Sequence, residues 1–152
     1  MSYNRRRNAF TLIEVLIVVI IMAVLAATII PQFASSTNDA KDSALKFNLH
    51  TMRSQIEIYK AHHLNKAPTL ANFKVQMCEK SDINGAKTGD LVYGPYIQND
   101  IPANPFNNGS TLVAVASAGV VPTAAVGGTA GWMYDESTGG IYPNNSEFYA
   151  AP

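Results

Sequence analysis

The run FTLIEVLIVVIIMAVLAATII, Phe10–Ile30, is twenty-one residues long and is broken only by Thr11, Glu14 and Thr28. About 20 consecutive apolar residues suffice to cross a bilayer core as a helix. Its thirteen Leu, Ile and Val residues each favour insertion by roughly 0.3–0.6 kcal/mol. One acidic residue near the end of the run does not cancel that sum. The segment is therefore expected to be a transmembrane helix and to set the architecture of everything after it.

On its N-terminal side stand Arg5, Arg6 and Arg7, and no comparable basic cluster closely follows the run. Positive charge tends to stay on the cytoplasmic side, so the chain is expected to be single-pass, with its N-terminus cytoplasmic and the remainder exported. An ordinary secretory signal is the rival reading, with Val24-Leu25-Ala26 as its cleavage site. The apolar run is long for a signal h-region and continues to Ile30.

On its C-terminal side Pro31 removes one backbone donor, which predicts a kink or a locally unwound stretch around residues 29–33. Leu45, Leu49, Met52, Ile56 and Tyr59 then recur at helical spacing among Asp39, Lys41, Asp42, Lys46, Arg53, Glu57 and Lys60, predicting an amphipathic helix to about His63. His62 and His63 point to different faces of such a helix, and no carboxylate stands at the spacing a helical metal site uses. With His50 they are read as solvated rather than metal-binding. Residues 65–110, punctuated by Pro68, Gly85, Gly89, Gly94, Pro95, Pro102 and Pro105, read as loop and turn. Thr111–Ser117 suits a short strand and Ala118–Ala130 a mobile small-residue loop. Gly131–Tyr142, turning at Glu136–Gly139, predicts a hairpin with Trp132 and Tyr134 on one face. The fold class expected is α+β, a long N-terminal helix packed on a small antiparallel sheet. Its parts are a leader (1–9), a membrane helix (10–30), an amphipathic helix (31–63) and a head (64–152).

The 152 residues carry eleven Lys/Arg and eleven Asp/Glu. Without residues 1–9 the balance is eight against eleven, a mildly acidic body that does not suit nucleic acid. Cys78 is the sole cysteine, so no intrachain disulfide forms, and with no CxxC or metal-ligand spacing it reads as a small packed residue. No nucleophile elbow, phosphate-cradling loop or His–carboxylate pair is present. Gly127–Gly131 lacks the strand-to-helix setting of a nucleotide motif, so an enzyme is not expected.

The junction Arg5-Arg6-Arg7-Asn8-Ala9-Phe10-Thr11-Leu12-Ile13-Glu14-Val15 resembles the signature of type IV pilins and type II secretion pseudopilins. Gly94-Pro95-Tyr96-Ile97 with Ile101–Phe106, and the pattern Trp132-x-Tyr134-Asp135…Thr138-Gly139-Gly140-Ile141, are similar to the variable loop and C-terminal strands of major secretion pseudopilins. The resemblance implies a pilin-like fold in the bacterial inner membrane with a periplasmic head. It implies cleavage between Ala9 and Phe10 by a prepilin peptidase, then N-methylation of Phe10. Ala9 departs from the usual glycine, and slower cleavage is expected from it. As an assembly residue, Glu14 would meet the new amine of Phe10 on an adjacent subunit, opposite charges at similar depth.

The function so implied is a structural subunit of a periplasmic pseudopilus. Its partners would be further copies of itself, the prepilin peptidase, minor pseudopilins and the inner-membrane assembly platform. The alternatives are a type IV pilin serving adhesion, motility or DNA uptake, and a membrane-tethered binding module; an anchor would tolerate Glu14→Leu. Major pseudopilins also hold calcium in a C-terminal loop. Asp135, Glu136 and Glu147 are oxygen donors in that region, but the dense acidic loop is absent, and calcium stands as a candidate cofactor on resemblance alone. Asn108-Gly109-Ser110 and Asn144-Asn145-Ser146 match a glycosylation pattern and are read as turn chemistry.

Overall fold

A computed structural model describes residues 10–150. The arginine leader and Ala9, on which half of the expected cleavage site falls, lie outside the described residues, as do the side chains of Pro31 and Glu147. The chain divides into two compact units, one ending at Ala40 and one beginning at Lys41.

Helix α1, Leu12–His62, contributes to both units. Residues 29–33 are helical, so the locally unwound stretch expected there is not found. A proline ring costs the turn one hydrogen bond, and the helix continues through it.

In the second unit α1 supplies a buried stripe. Leu45, Met52 and Ile56 are fully buried, with Leu49 and Tyr59 nearly so, as their spacing predicts. They join one core cluster with Phe73, Met77, Ile97, Ile101, Trp132, Tyr134 and Ile141. After α1 come a 3-10 turn at Leu70–Asn72 and α2, Phe73–Cys78. Helix α2 falls where only loop was expected. Six residues are too few for a periodic signal, yet Phe73 and Met77, one turn apart, both reach the core. Cys78 is half-buried against the same cluster, and burial, followed by the charge of Asp100, raises its thiol pKa.

Three strands follow: β1 Leu112–Ala114, β2 Trp132–Asp135 and β3 Gly140–Pro143, ordered β1-β2-β3. The hairpin is as expected, pairing Tyr134 with Ile141 and Asp135 with Gly140. Its turn places Gly139 at φ +80°, where a side chain would press on Ile56 of α1, so glycine suits both the backbone and the packing. The sheet is mixed rather than antiparallel, because β1 runs parallel to β2, Leu112 facing Trp132. Residues 115–131 between them give the chain the length a parallel return requires; strand composition carries no signal of direction. A short α3, Ser146–Ala150, follows.

Two large buried aromatic residues tie their polar atoms to backbone carbonyls. Tyr134 Oη donates to Pro68 O at 2.8 Å and Trp132 Nε1 to Pro102 O at 2.8 Å. His63 corrects the solvated reading. It is 2 % exposed, stacks on Tyr59 at 3.9 Å between ring centroids, and sits 3.1 Å from Ile83 O and 3.0 Å from Tyr96 Oη. His62 is exposed and touches the same hydroxyl at 3.1 Å. Burial, with Tyr59 and Tyr93 close by, pushes the Tyr96 hydroxyl up to about 12, so it remains protonated as the link between the two rings.

Candidate processing and assembly site

Phe10 precedes α1, is 86 % exposed, and is the first described residue. From Phe10 to Ile30 every residue is exposed. The stretch Leu12–Ile30 is long and apolar enough to cross a membrane, about 28 Å at 1.5 Å per residue. Left in water, such a surface would be far larger than soluble proteins tolerate. The segment therefore needs lipid or other protein around it.

At its head, Thr11 and Glu14 bond reciprocally. The Thr11 N–H and Oγ1–H donate to Glu14 Oε2 at 2.8 and 2.7 Å, and the Glu14 N–H donates to Thr11 Oγ1 at 3.3 Å. This is a capping box. Thr11 holds the position before the first helical residue, and Glu14 reaches back from the first turn to satisfy amides that the helix leaves unpaired. Its sequence signature, Thr-x-x-Glu ahead of an apolar run, is present in residues 11–14, but Glu14 invites a purely intermolecular reading. The consequence for chemistry is orientation. The carboxylate points toward the chain start at Phe10, and among the described residues these contacts engage Oε2 alone. A carboxylate in the first turn is also favoured there by the helix dipole.

Residues 4–30 match the family model described as the prokaryotic N-terminal methylation motif. This N-terminus is similar to a type IV pilin signal. The matched residues cover the exposed stretch of helix and the Thr11–Glu14 cap, and they include Ala9 and Phe10. The chain is also similar to the type II secretion system core protein G of Pseudomonas aeruginosa, with 36 % identity over 57 residues. That alignment covers 38 % of this chain and 40 % of the relative, so the chain spans well under half of the curated relative it matches. No solved structure matches.

The expected calcium donors are not brought together as a ligand set. Asp135 Oδ2 accepts from the Gly119 N–H at 2.7 Å, while Oδ1 accepts from Ser137 N–H and Oγ–H at 3.0 and 2.6 Å. Burial alone would raise this carboxyl, but those bonds outweigh it and hold the pKa below its ordinary value. Glu136 Oε2 accepts from the Leu70 N–H at 2.8 Å, on a different segment. The side chain of Glu147 lies outside the description. Among the described residues no three His, Cys, Asp or Glu side chains cluster.

Proposed function

We propose that the chain is a structural subunit of a type II secretion pseudopilus, cut after Ala9 by a prepilin peptidase and N-methylated on Phe10 before it assembles. The observation that carries this reading is the exposed apolar stretch Leu12–Ile30, whose single carboxylate, Glu14, is held by Thr11 toward the prospective new N-terminus. Once the leader is gone, Phe10 carries a cationic amine five residues, counted inclusively, from Glu14. A carboxylate and an amine buried among apolar helices each lose hydration, and pairing with each other offsets part of that cost. An adjacent copy offset along the helix axis supplies that meeting, which fixes the register in which subunits leave the bilayer and stack.

The match to the methylation motif supports the processing, and the similarity to a type II secretion protein G supports the secretion assignment over an adhesive pilus. In this reading the N-terminus faces the cytoplasm and the head the periplasm of the inner membrane, with minor pseudopilins and the assembly platform as partners. The role is structural, not catalytic.

Intact-mass measurement and N-terminal sequencing of the membrane-extracted protein, with and without the host's prepilin peptidase, test it. The expected product begins at N-methyl-Phe10 and appears only with the peptidase. A chain retaining Met1 in both hosts would make it a tethered module, and one starting at Ala27 an ordinary secreted domain.

A further inference from the structure

The calcium that the resemblance brings into question meets a different chemistry here. The connection from Val115 to Gly131 contains no charged residue, yet it is tied down at both ends by side chains that follow it in sequence. At one end Asp135 takes the Gly119 N–H. At the other, Asn144, 3 % exposed, engages three residues with one amide. Its Oδ1 accepts from the Val126 and Gly127 N–H groups at 2.9 and 3.2 Å, and its Nδ2 donates to Gly127 O and Ala130 O at 2.8 and 2.9 Å. All these partners are backbone groups, which can only donate or only accept, so the orientation of the amide is fixed by them.

Neighbouring asparagines extend the arrangement. Asn107 Nδ2 donates to Ala130 O at 3.0 Å and Asn144 O at 3.1 Å. Asn104 is fully buried, and its Nδ2 donates to Gly131 O at 2.9 Å and Asn145 Oδ1 at 3.0 Å. The Nδ2 of buried Asn145 is a further donor at the same place, and it has no acceptor among the described residues. Calcium gathers 6–8 oxygens, several of them carboxylate, at 2.3–2.6 Å. At this end of the connection the carbonyls that an ion would collect already converge on amide N–H groups, and a site lined with such donors opposes a cation.

We propose that an asparagine network centred on Asn144, with Asn104 and Asn107, replaces calcium in this chain, and that the head holds its C-terminal loop without metal. Each Nδ2 stands between two acceptors as a cation would, but it is neutral, directional and independent of any ion supply.

The test is thermal unfolding of the full-length chain in detergent micelles, followed by near-UV circular dichroism of Trp132, in EDTA and in millimolar CaCl2. Hydrogen exchange at the Val126 and Gly127 amides is measured alongside. For the wild type the two midpoints agree within about 1 °C, since an ion that does not bind the folded state cannot stabilise it. Asn144→Ala lowers the midpoint by roughly 5–10 °C in both solutions and speeds exchange at Val126 and Gly127 by at least about tenfold. A wild-type midpoint that rises by several degrees with CaCl2, or stoichiometric calcium retained in equilibrium dialysis, overturns the proposal. Unchanged exchange in Asn144→Ala overturns it as well. If Asn144→Ala does not fold, the wild-type titration still decides. These readouts concern the head, so they stand or fall separately from leader cleavage and filament assembly.

Discussion

Two stretches of the same helix behave in opposite ways. From Leu12 to Ile30 every residue of α1 is exposed although almost all are apolar, whereas between Leu45 and Tyr59 a single stripe, Leu45, Leu49, Met52, Ile56 and Tyr59, is buried while Phe47 and Ile58 off the stripe stay exposed. Both stretches are helical, so propensity does not separate them. The pattern of apolar residues does. A stripe asks for one partner on one side, and the head supplies it. An all-round apolar surface asks for surroundings that this chain alone does not contain, whether bilayer or further copies. The comparison teaches that stability and assembly are divided along one element, and substitutions should therefore sort cleanly by position.

The largest effect is expected at Glu14. Glu14→Leu makes the first stretch wholly apolar, which favours the membrane-resident state and removes the charge proposed to set filament register. Filaments released from the periplasm of overproducing cells and counted by electron microscopy should fall from the wild-type level to none. The head's urea midpoint should stay unchanged, because Glu14 belongs to the other compact unit. Filaments of normal yield from Glu14→Leu would remove the assembly role and leave the capping box as its whole function.

Next comes a matched pair on α1. Ile56→Ala cuts a fully buried side chain and should destabilise the head by about 2–5 kcal/mol in urea unfolding. The same truncation at Ile20, which is 54 % exposed, should change head stability by less than about 0.5 kcal/mol. Equal losses at both positions would mean that the two stretches share a core, contrary to the division drawn above.

Adjacent histidines give a finer version of the same contrast. His63→Leu nearly keeps the volume but removes the partner of Ile83 O and one of the two histidine partners of the Tyr96 hydroxyl, a cost of about 1–3 kcal/mol. His62→Leu, at an exposed position, should cost under about 0.5 kcal/mol. Urea titrations of the two variants compare them directly, and equal costs would show that burial of His63 adds nothing.

Much of this division can be read in the residues themselves. The apolar run and the Leu45-to-Tyr59 stripe are periodic over many turns, and Trp132 and Tyr134 alternate as a strand requires. Other features depend on partners far away in the chain. His63 looks like a solvated helix-end residue until Ile83 and Tyr96 fold over it. The asparagines read as turn residues, yet Asn104 meets Asn145 forty-one positions on. Helix α2 is too short to show a period, and the parallel pairing of β1 is decided by the path of the connection rather than by the strand. At Glu14 the signal was local and visible, since Thr11-x-x-Glu14 spells a capping box. The same carboxylate also suits an intermolecular role, and one residue can serve both.

The smallest effect lies at Cys78, at the edge of the buried region. Burial and the charge of Asp100 raise its pKa above the ordinary value of 9.0, while Lys74 pulls the other way. The folded state therefore holds the thiol proton more tightly than the unfolded chain does. Its contribution to stability is fully present at neutral pH and is lost as pH rises through the unfolded value and then the folded one. Cys78→Ala should cost about 1 kcal/mol at pH 7, the loss of a small packed group, and should flatten the decline in urea midpoint between pH 8 and pH 10. Iodoacetamide should label the folded wild type more slowly than the urea-unfolded chain at pH 8, since only the thiolate reacts. Labelling at equal rates would place Cys78 outside the protection of the core and move the boundary between the two kinds of surface inward.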